Sequence, residues 1–409
     1  MNSKIEDTNS KYVLGISAFY HDSSATLLKD GNLICAVQEE RFTRIKHESS
    51  FPSNSIKFIL KETNLSLSQI DYIVFYDNPF LKFLRLISTY ISNVPWGFNS
   101  FKKAIPNWLF RKLFLKSIIF KELRKISNFY SKRKLYFLNH HFSHAASAYY
   151  PSPFNEAIVL TLDGVGEWAT STVSIAKNNK LETLKEINFP SSLGLLYSAF
   201  TAYTGFKVLS GEYKLMGLAP FGRPIYSEII KKNLINIKKD GSFRMNQEYF
   251  NYMIGSTMIN KKFENLFGHR CRRSNEKITE FHMNIASSIQ KVTEEIILLI
   301  CNDLYQEFRI KNLCLAGGVA LNCVANGKLL KKSRFKNIWI QPAAGDAGGS
   351  LGAAYGLWHN ELNQKRYSNN KDKMNGCYLG PKYENHEIKK KLTKLGAVFS
   401  YFSNDKIID

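Results

Sequence analysis

A chain of 409 residues with 44% hydrophobic and 13% aromatic content is long enough for two or three domains, and that composition excludes a disordered protein. The formal net charge of +22 points toward phosphate-bearing ligands, but it is spread over a sequence rich in Lys, Asn, Ile, Phe and Tyr, a bias that A/T-rich codons also produce, so no nucleic-acid partner is expected. Six cysteines without one Cys-x-x-Cys pair exclude a disulfide framework, and Cys301, Cys314 and Cys323, set in apolar segments, read as buried free thiols.

Met1 to Lys11 is polar and lacks the apolar core of a secretion signal, and no run of 18 apolar residues occurs, so a cytoplasmic chain without a membrane span is expected. The first patterned segments are Tyr12 to Ser17, Ser24 to Leu28 and Leu33 to Val37, the last two joined by the turn Lys29-Asp30-Gly31-Asn32. Short apolar runs around an Asp-Gly turn predict an antiparallel three-strand meander. His21-Asp22 falls in the loop between its first two strands. A carboxylate beside an imidazole can tune it as a general base, and the same pair is equally readable as a surface contact. Two amphipathic stretches and the strand-like Tyr72 to Phe75 follow.

Residues 79–134 read as a helical insertion broken by Pro95 and Pro106. Within it, residues 102–134 set eleven Lys/Arg against Glu122 and carry Trp108, Leu109, Phe110, Phe114, Ile118 and Ile119. That is the pattern of a solvated helix with one buried face, or of a surface for an acceptor, a lipid or a partner. After the short strand Leu135 to Leu138, Asn139 is a plausible N-cap, which places His140 and His144 one turn apart on one helix face. Two imidazoles so spaced form half of a divalent metal site if a carboxylate joins them, and otherwise a hydrogen-bonded helix start.

The strand pattern then restarts with Ala157 to Asp163, Ala169 to Ile175 and Leu184 to Ile187. At a constant offset Ser17 meets Asp163, His21 meets Glu167 and Ser24 meets Thr170, as in a duplicated fold with a cleft between two lobes. Asp163-Gly164-Val165-Gly166-Glu167 reads as a tight turn or a phosphate or ribose contact. In Gly211 to Pro220, Glu212 is suited to ribose hydroxyls and Lys214 to a phosphate, or the two to a surface ion pair. Residues 282–304 show helical spacing of Ile285, Ile289, Val292, Ile296, Ile300 and Leu304.

Strand Asn312 to Ala316, turn Gly317-Gly318 and helix Ala320 to Leu330 then form a unit whose backbone N–H groups suit a phosphate. A further strand, Asn337 to Gln341, leads to Asp346 and the helix Ala347 to Trp358. Asp346, just past a strand end, is the candidate carboxylate for the histidine pair, or a helix cap. Asn360 to Met374 reads as a linker, and the last 35 residues hold one short βα-sized unit.

Taken in order, Gly15-Ile16-Ser17 with His21-Asp22-Ser23-Ser24-Ala25, Glu39-Glu40-Arg41-Phe42, His140-His141-Phe142-Ser143-His144-Ala145, Asp163-Gly164, Gly211-Glu212-Tyr213-Lys214-Leu215-Met216-Gly217, Gly317-Gly318-Val319-Ala320-Leu321-Asn322 and Gly345-Asp346-Ala347-Gly348 form a set. From about Val13 to Trp358 the chain resembles the O-carbamoyltransferase family that includes nodulation-factor and antibiotic-tailoring enzymes. The resemblance implies an α/β chain with the duplicated ribonuclease-H-like fold of actin, heat-shock proteins and sugar kinases, similar to the tRNA threonylcarbamoyl transferases. It implies a first lobe at 1–150 holding the basic helical insertion, a second lobe at 151–360, and a linker with the start of a truncated C-terminal domain at 361–409.

By the same resemblance, His140, His144 and Asp346 would hold a divalent, iron-type metal. His21, beside Asp22, would be the base for the acceptor hydroxyl. Asp163, Gly164, Glu212, Lys214, Gly317, Gly318 and Asn322 would line the pocket of a carbamoyladenylate made from ATP and carbamoyl phosphate. The acceptor would be a small molecule or glycan. The synthase-like C-terminal domain of the family, with its Gly-Asn-Arg-Ser-like motif, is expected to be missing from this chain, which is then truncated, complemented by a separate protein that supplies that half, or an inactive remnant. The competing readings are a tRNA threonylcarbamoyl transferase-like enzyme and an inactive nucleotide-binding paralogue.

Overall fold

The computed structural model describes residues 10–98, 101–102, 114–127 and 135–406. Strands β1 (Tyr12–Ser17), β2 (Ser24–Lys29) and β3 (Asn32–Gln38) form the predicted meander, turning at Asp30 and Gly31, both with positive φ (49° and 76°). On the other side of β1, β4 (Tyr72–Phe75) and β5 (Leu135–Phe137) add in parallel, giving the order β3-β2-β1-β4-β5. The second sheet repeats this plan. Strands β6 (Glu156–Leu162), β7 (Ala169–Lys177) and β8 (Lys180–Asn188) form an antiparallel meander. A small hairpin, β9 (Ile235–Ile237) and β10 (Phe243–Met245), intervenes before β11 (Asn312–Ala316) and β12 (Asn337–Ile340) extend the sheet in parallel. The resulting order β12-β11-β6-β7-β8 matches the first sheet strand for strand, so the duplication read from two meanders is present as topology. The fold is α/β with two mixed sheets.

Two helices lie between the sheets and are exchanged between them. The helix Gly349–Tyr355, which follows the second sheet in sequence, packs on β1 and β2. The helix His140–Tyr149, which follows the first sheet, packs on β6 and β11. One apolar core accordingly joins Val13, Leu14 and Ile16 of β1 to Leu351 and Ala354 and to Val159 and Cys314 of the second sheet. The opposite face of the second sheet is covered by helices Leu193–Tyr203 and Glu280–Phe308, the latter burying all six predicted apolar positions from Ile285 to Leu304.

Three expectations need correction. Of the three cysteines read as buried, Cys301 and Cys314 are buried, but Cys323 is exposed, because it opens the surface helix Cys323–Lys332. The supposed linker is tied down. Arg366 donates to the carbonyls of Tyr149, Tyr150, Ser152 and Phe154 and lies 4.5 Å from the Tyr149 ring centroid. The predicted final βα unit yields its helix, Asn385–Lys394, but no strand among the described residues, since only the Leu379 carbonyl pairs with β3, at Ala36.

Of the 79–134 segment, helices Pro79–Ile91 and Leu115–Ile126 are as predicted, the first capped by the Asn78 side chain with Pro79 at its start. The second buries Leu115, Ile119 and Leu123, while Pro106, Trp108, Leu109 and Phe110 lie outside the described residues. The first helix turns a charged side inward. Lys82 and Arg85 are buried, with Lys82 Nζ 2.5 Å from the Asp77 carboxylate. No helix of the described residues is long and apolar enough to cross a membrane.

Candidate metal centre

Two residues, Leu138 and Asn139, separate β5 from the helix His140–Tyr149, whose first turn is capped from the other sheet. Asn139 stands at the predicted N-cap position in extended conformation, but its side chain makes no cap hydrogen bond. The Glu167 carboxylate, from the β6–β7 loop, accepts the His140 N–H with both oxygens at 3.0 Å and the Asn78 N–H at 2.8 Å. An anion at this helix end is favoured by the helix dipole as well as by the hydrogen bonds. One turn apart, the His140 and His144 rings stand edge to face with their Nε2 atoms 3.0 Å apart.

Two carboxylates converge on these nitrogens. Asp346, 2% exposed just beyond β12, sets Oδ1 at 3.7 Å from His140 Nε2 and 3.5 Å from His144 Nε2, and accepts the Tyr76 hydroxyl on Oδ2 at 3.1 Å. Asp163, at the end of β6, sets Oδ2 at 3.0 and 3.7 Å from the same two nitrogens. Sequence reasoning placed Asp163 beside a nucleotide; the structure brings it into the histidine cluster. All four donor atoms lie within 4.8 Å of one another.

This donor set fits a divalent cation. Two ligands about 2.1 Å from one ion lie about 3.0 Å apart at right angles and about 3.4 Å apart at the tetrahedral angle, close to the separations observed here. Mixed imidazole and carboxylate donors suit a first-row transition metal. The electrostatics express the same demand for positive charge. Burial alone would depress His144, yet Asp163 and Asp346 raise it to about 9. Burial opposes the charge on Asp163 and Asp346 too, but the surrounding imidazoles hold both below the usual carboxylate range. His141, between them in sequence, points elsewhere. It bonds Thr161 Oγ1 at 2.7 Å, and burial followed by the neighbouring His140 drives it down to about 3.

His21 lies at the rim of this cluster, with Nδ1 2.8 Å from Asp22 Oδ2 and Nε2 3.8 Å from Asp346 Oδ2. Burial disfavours its charge, but Asp346 first and Asp22 second raise it to about 9.

The remaining predicted residues are distributed as follows. Gly317, with φ of 87°, passes so close to the Leu162 carbonyl that a side chain would collide with it. Its N–H goes to the Ala344 carbonyl at 2.8 Å, and that of Gly318 to Asp163 Oδ1 at 2.9 Å. Both amides are therefore engaged within the protein, and what these glycines offer a ligand is close approach. The carbonyl of Gly164 accepts from Ser192 Oγ at 2.7 Å. Glu212 turns back on its own loop, accepting from Ser198 Oγ at 2.7 Å and from the N–H groups of Leu209 and Gly211 at 3.1 Å, while Lys214 is exposed. Asn322 caps the helix Cys323–Lys332 and exchanges two amide hydrogen bonds with buried Gln290. A cavity of ≈ 940 Å³ lies to one side, between Arg41 and Arg44 and the segment 377–383, and is lined on the Asp346 side by Pro342, Ala343, Ala347 and Gly348.

Sequence reasoning missed Asp163 as a member of the cluster, Glu167 as the cap and Tyr76 as the donor to Asp346. The only signal for the first two was the offset that aligned Asp163 and Glu167 with Ser17 and His21.

Over residues 12–355 the chain matches the family model described as the carbamoyltransferase N-terminus. An uncharacterized protein of Synechocystis sp., sll1178, is 54% identical over 400 residues, covering 97% of this chain and 65% of its own length. The nodulation protein NolNO of Sinorhizobium fredii is 34% identical over 370 residues, covering 89% of this chain and 50% of its own length. The chain thus spans about half to two thirds of these relatives. Among solved structures, component A of the Acidaminococcus fermentans (R)-2-hydroxyglutaryl-CoA dehydratase aligns with 85% of this chain and 98% of its own, at 16% identity and a TM-score of 0.43.

Proposed function

This chain belongs to the carbamoyltransferase family, and from that premise we propose that it moves a carbamoyl group from a carbamoyladenylate to a hydroxyl of a small molecule or glycan. The observation that carries this reading is the convergence of two imidazoles and two carboxylates within 4.8 Å, with His21 at their edge. His140, His144, Asp163 and Asp346 would hold a divalent, iron-type cation, which when bound supplies Lewis acidity to the donor's oxygens. The two matching sheets support a duplicated ribonuclease-H-like fold of the actin and sugar-kinase kind, with the ligand in the crevice between its halves.

On this reading the residues divide the work. His21 Nε2 takes the proton of the acceptor hydroxyl as its oxygen attacks the carbamoyl carbon. The carbon–oxygen bond to AMP breaks, and AMP leaves with the electron pair. His21 must be neutral to do this, and the Asp346 charge that raises it to about 9 would be shared with the cation. Asp22 orients the ring by accepting from Nδ1. The close-packed Gly317-Gly318 turn and Gly164 would let the nucleotide approach the strand ends, and Glu212, Lys214 and Asn322 would contact the rest of it. The carbamoyladenylate, formed from ATP and carbamoyl phosphate, would come from a synthase-like domain or separate protein.

The test is to load the chain with Fe²⁺ or Mn²⁺ and supply synthetic carbamoyladenylate with candidate hydroxyl acceptors. Carbamoylated acceptor and AMP should appear in equal amounts, and His140→Ala should abolish both. Free hydrolysis alone, at the same rate with and without protein, would refute the proposal.

A further inference from the structure

The carboxylate that orients His21 is shared with a second imidazole. Asp22 Oδ2 lies 2.8 Å from His21 Nδ1, and Asp22 Oδ1 lies 2.9 Å from His47 Nδ1. An ionised carboxylate only accepts, so both Nδ1 atoms carry protons. Burial opposes the charge on Asp22, and the two imidazoles together more than offset it.

His47 is brought there by its loop. Residues 44–50 are fastened to the β1–β2 loop by two backbone bonds, Phe19 N–H to the Ser49 carbonyl and Ser23 N–H to the Glu48 carbonyl, both 2.8 Å. The His47 N–H donates to Glu40 Oε2 at 3.1 Å. Asp22 and His47 both sit in the left-handed region, with φ of 53° and 58°. Such backbone is held only where its surroundings determine it, and it concentrates at functional sites. Besides Asp22 Oδ1, the His47 ring faces the His21 ring edge-on, with centroids 6.5 Å apart, and its own Nε2 is buried without a hydrogen-bond partner.

We infer that His47 is a positioning residue for the transfer reaction. By holding Asp22 Oδ1 it fixes the plane of that carboxylate, whose other oxygen locks the His21 tautomer and aims His21 Nε2 at the crevice. Without it, one oxygen of Asp22 is released, the carboxylate turns about its χ2 bond, and His21 loses its fixed orientation. The inference rests on the reading of His21 as the base, but its geometric half stands apart from any activity.

The experiment therefore has two arms on the intact chain. In the first, ¹⁵N-labelled histidine is followed by NMR, the nine histidines being assigned by single replacement. Recorded above about pH 9, where His21 is neutral, His47→Ala should move the His21 nitrogens from a single Nδ1–H form to a tautomer mixture. His47→Asn, whose Nδ2 occupies the place of Nδ1, should keep them near the native values. Unchanged His21 signals in His47→Ala overturn the inference whatever the activity.

In the second arm, transfer from synthetic carbamoyladenylate is measured. His47→Ala should lower kcat by about tenfold to a hundredfold, the scale on which partners that orient a site residue act, with KM and melting temperature little changed. His47→Asn should restore most of that loss, and His47→Ala should add nothing in an Asp22→Asn background. A fall in stability with kcat intact, or no rescue by Asn, would reduce His47 to a scaffold residue. If the wild-type chain transfers nothing, the proposed function fails, and the NMR arm still decides the positioning.

Discussion

Gly352 lies flush against the carbonyl of Ser143, so closely that a Cβ at this glycine would overlap the oxygen. Ser143 belongs to the helix that carries His140 and His144, and Gly352 to the helix that follows Asp346. The distance between the imidazole pair and the Asp346 carboxylate is therefore set by a helix contact that only glycine permits. Gly352→Ala should destabilise the chain by about 1–3 kcal/mol through overpacking and weaken metal binding in parallel. Chemical denaturation and metal content after dialysis measure the two effects, and full occupancy in a destabilised variant would break the link.

Asp163 offers a sharper test of the cluster. Asp163→Asn keeps an oxygen for the Gly318 N–H while removing the charge that faces the imidazoles. If Asp163 is a ligand, this change and His144→Ala should each lower cation affinity by at least about tenfold to a hundredfold in calorimetric titration. A residue that merely lined a nucleotide pocket would leave the titration as in wild type.

Cation binding should also stabilise the fold. A metal at one hundred times its Kd adds about 2.7 kcal/mol, provided the unfolded chain does not compete for it. Adding Mn²⁺ should raise the melting temperature of the wild type and not that of His144→Ala. Equal shifts in both would place the cation elsewhere.

The acid side of the stability curve should carry the mark of His359. This ring is 2% exposed beside Tyr150 and Tyr355, with Nδ1 donating to the Gln364 carbonyl at 2.9 Å. Burial, the largest cause, lowers it to about 4. Between about pH 4 and the ordinary imidazole value of about 6.5 the unfolded chain binds the extra proton. Stability is thus complete above that window and falls by up to about 3 kcal/mol as the pH drops through it. His359→Asn should flatten this slope, and an unaltered slope would show that other groups set it.

Arg366→Ala removes a fork bound to four carbonyls at the corner between β5's helix and β6. A loss of about 2–3 kcal/mol is expected from unfolding curves, and Arg366→Lys should recover only part of it, since an ammonium lacks the planar fork. Full recovery by Lys would mean that charge alone matters there.

What was legible in the sequence was what is local. The first meander follows from alternation around Asp30-Gly31, the long helix from six apolar residues at helical spacing, and the His140–His144 pair from a four-residue period. Asp346 was legible through its place past a strand end. The contributions that escaped are long-range. Asp163 stands 23 residues from His140 and reads locally as a turn residue, and Glu167 caps a helix that starts on the other sheet. The helix Pro79–Ile91 inverts the usual rule, because Asp77 compensates Lys82 inside while Phe80, Leu84 and Ile91 face outward. The exchange of two helices between the sheets left no local trace at all.

The Glu167 carboxylate gathers main-chain donors from the start of two separate helices, at Asn78 and His140. A clamshell built on such a latch does not gape by gentle flexing, since any wide swing must first strip a nearly buried anion of its amide partners. On the proposed function, ligands would then enter at the rim, where His21 stands, while His140, His144, Asp163 and Asp346 stay in place behind it.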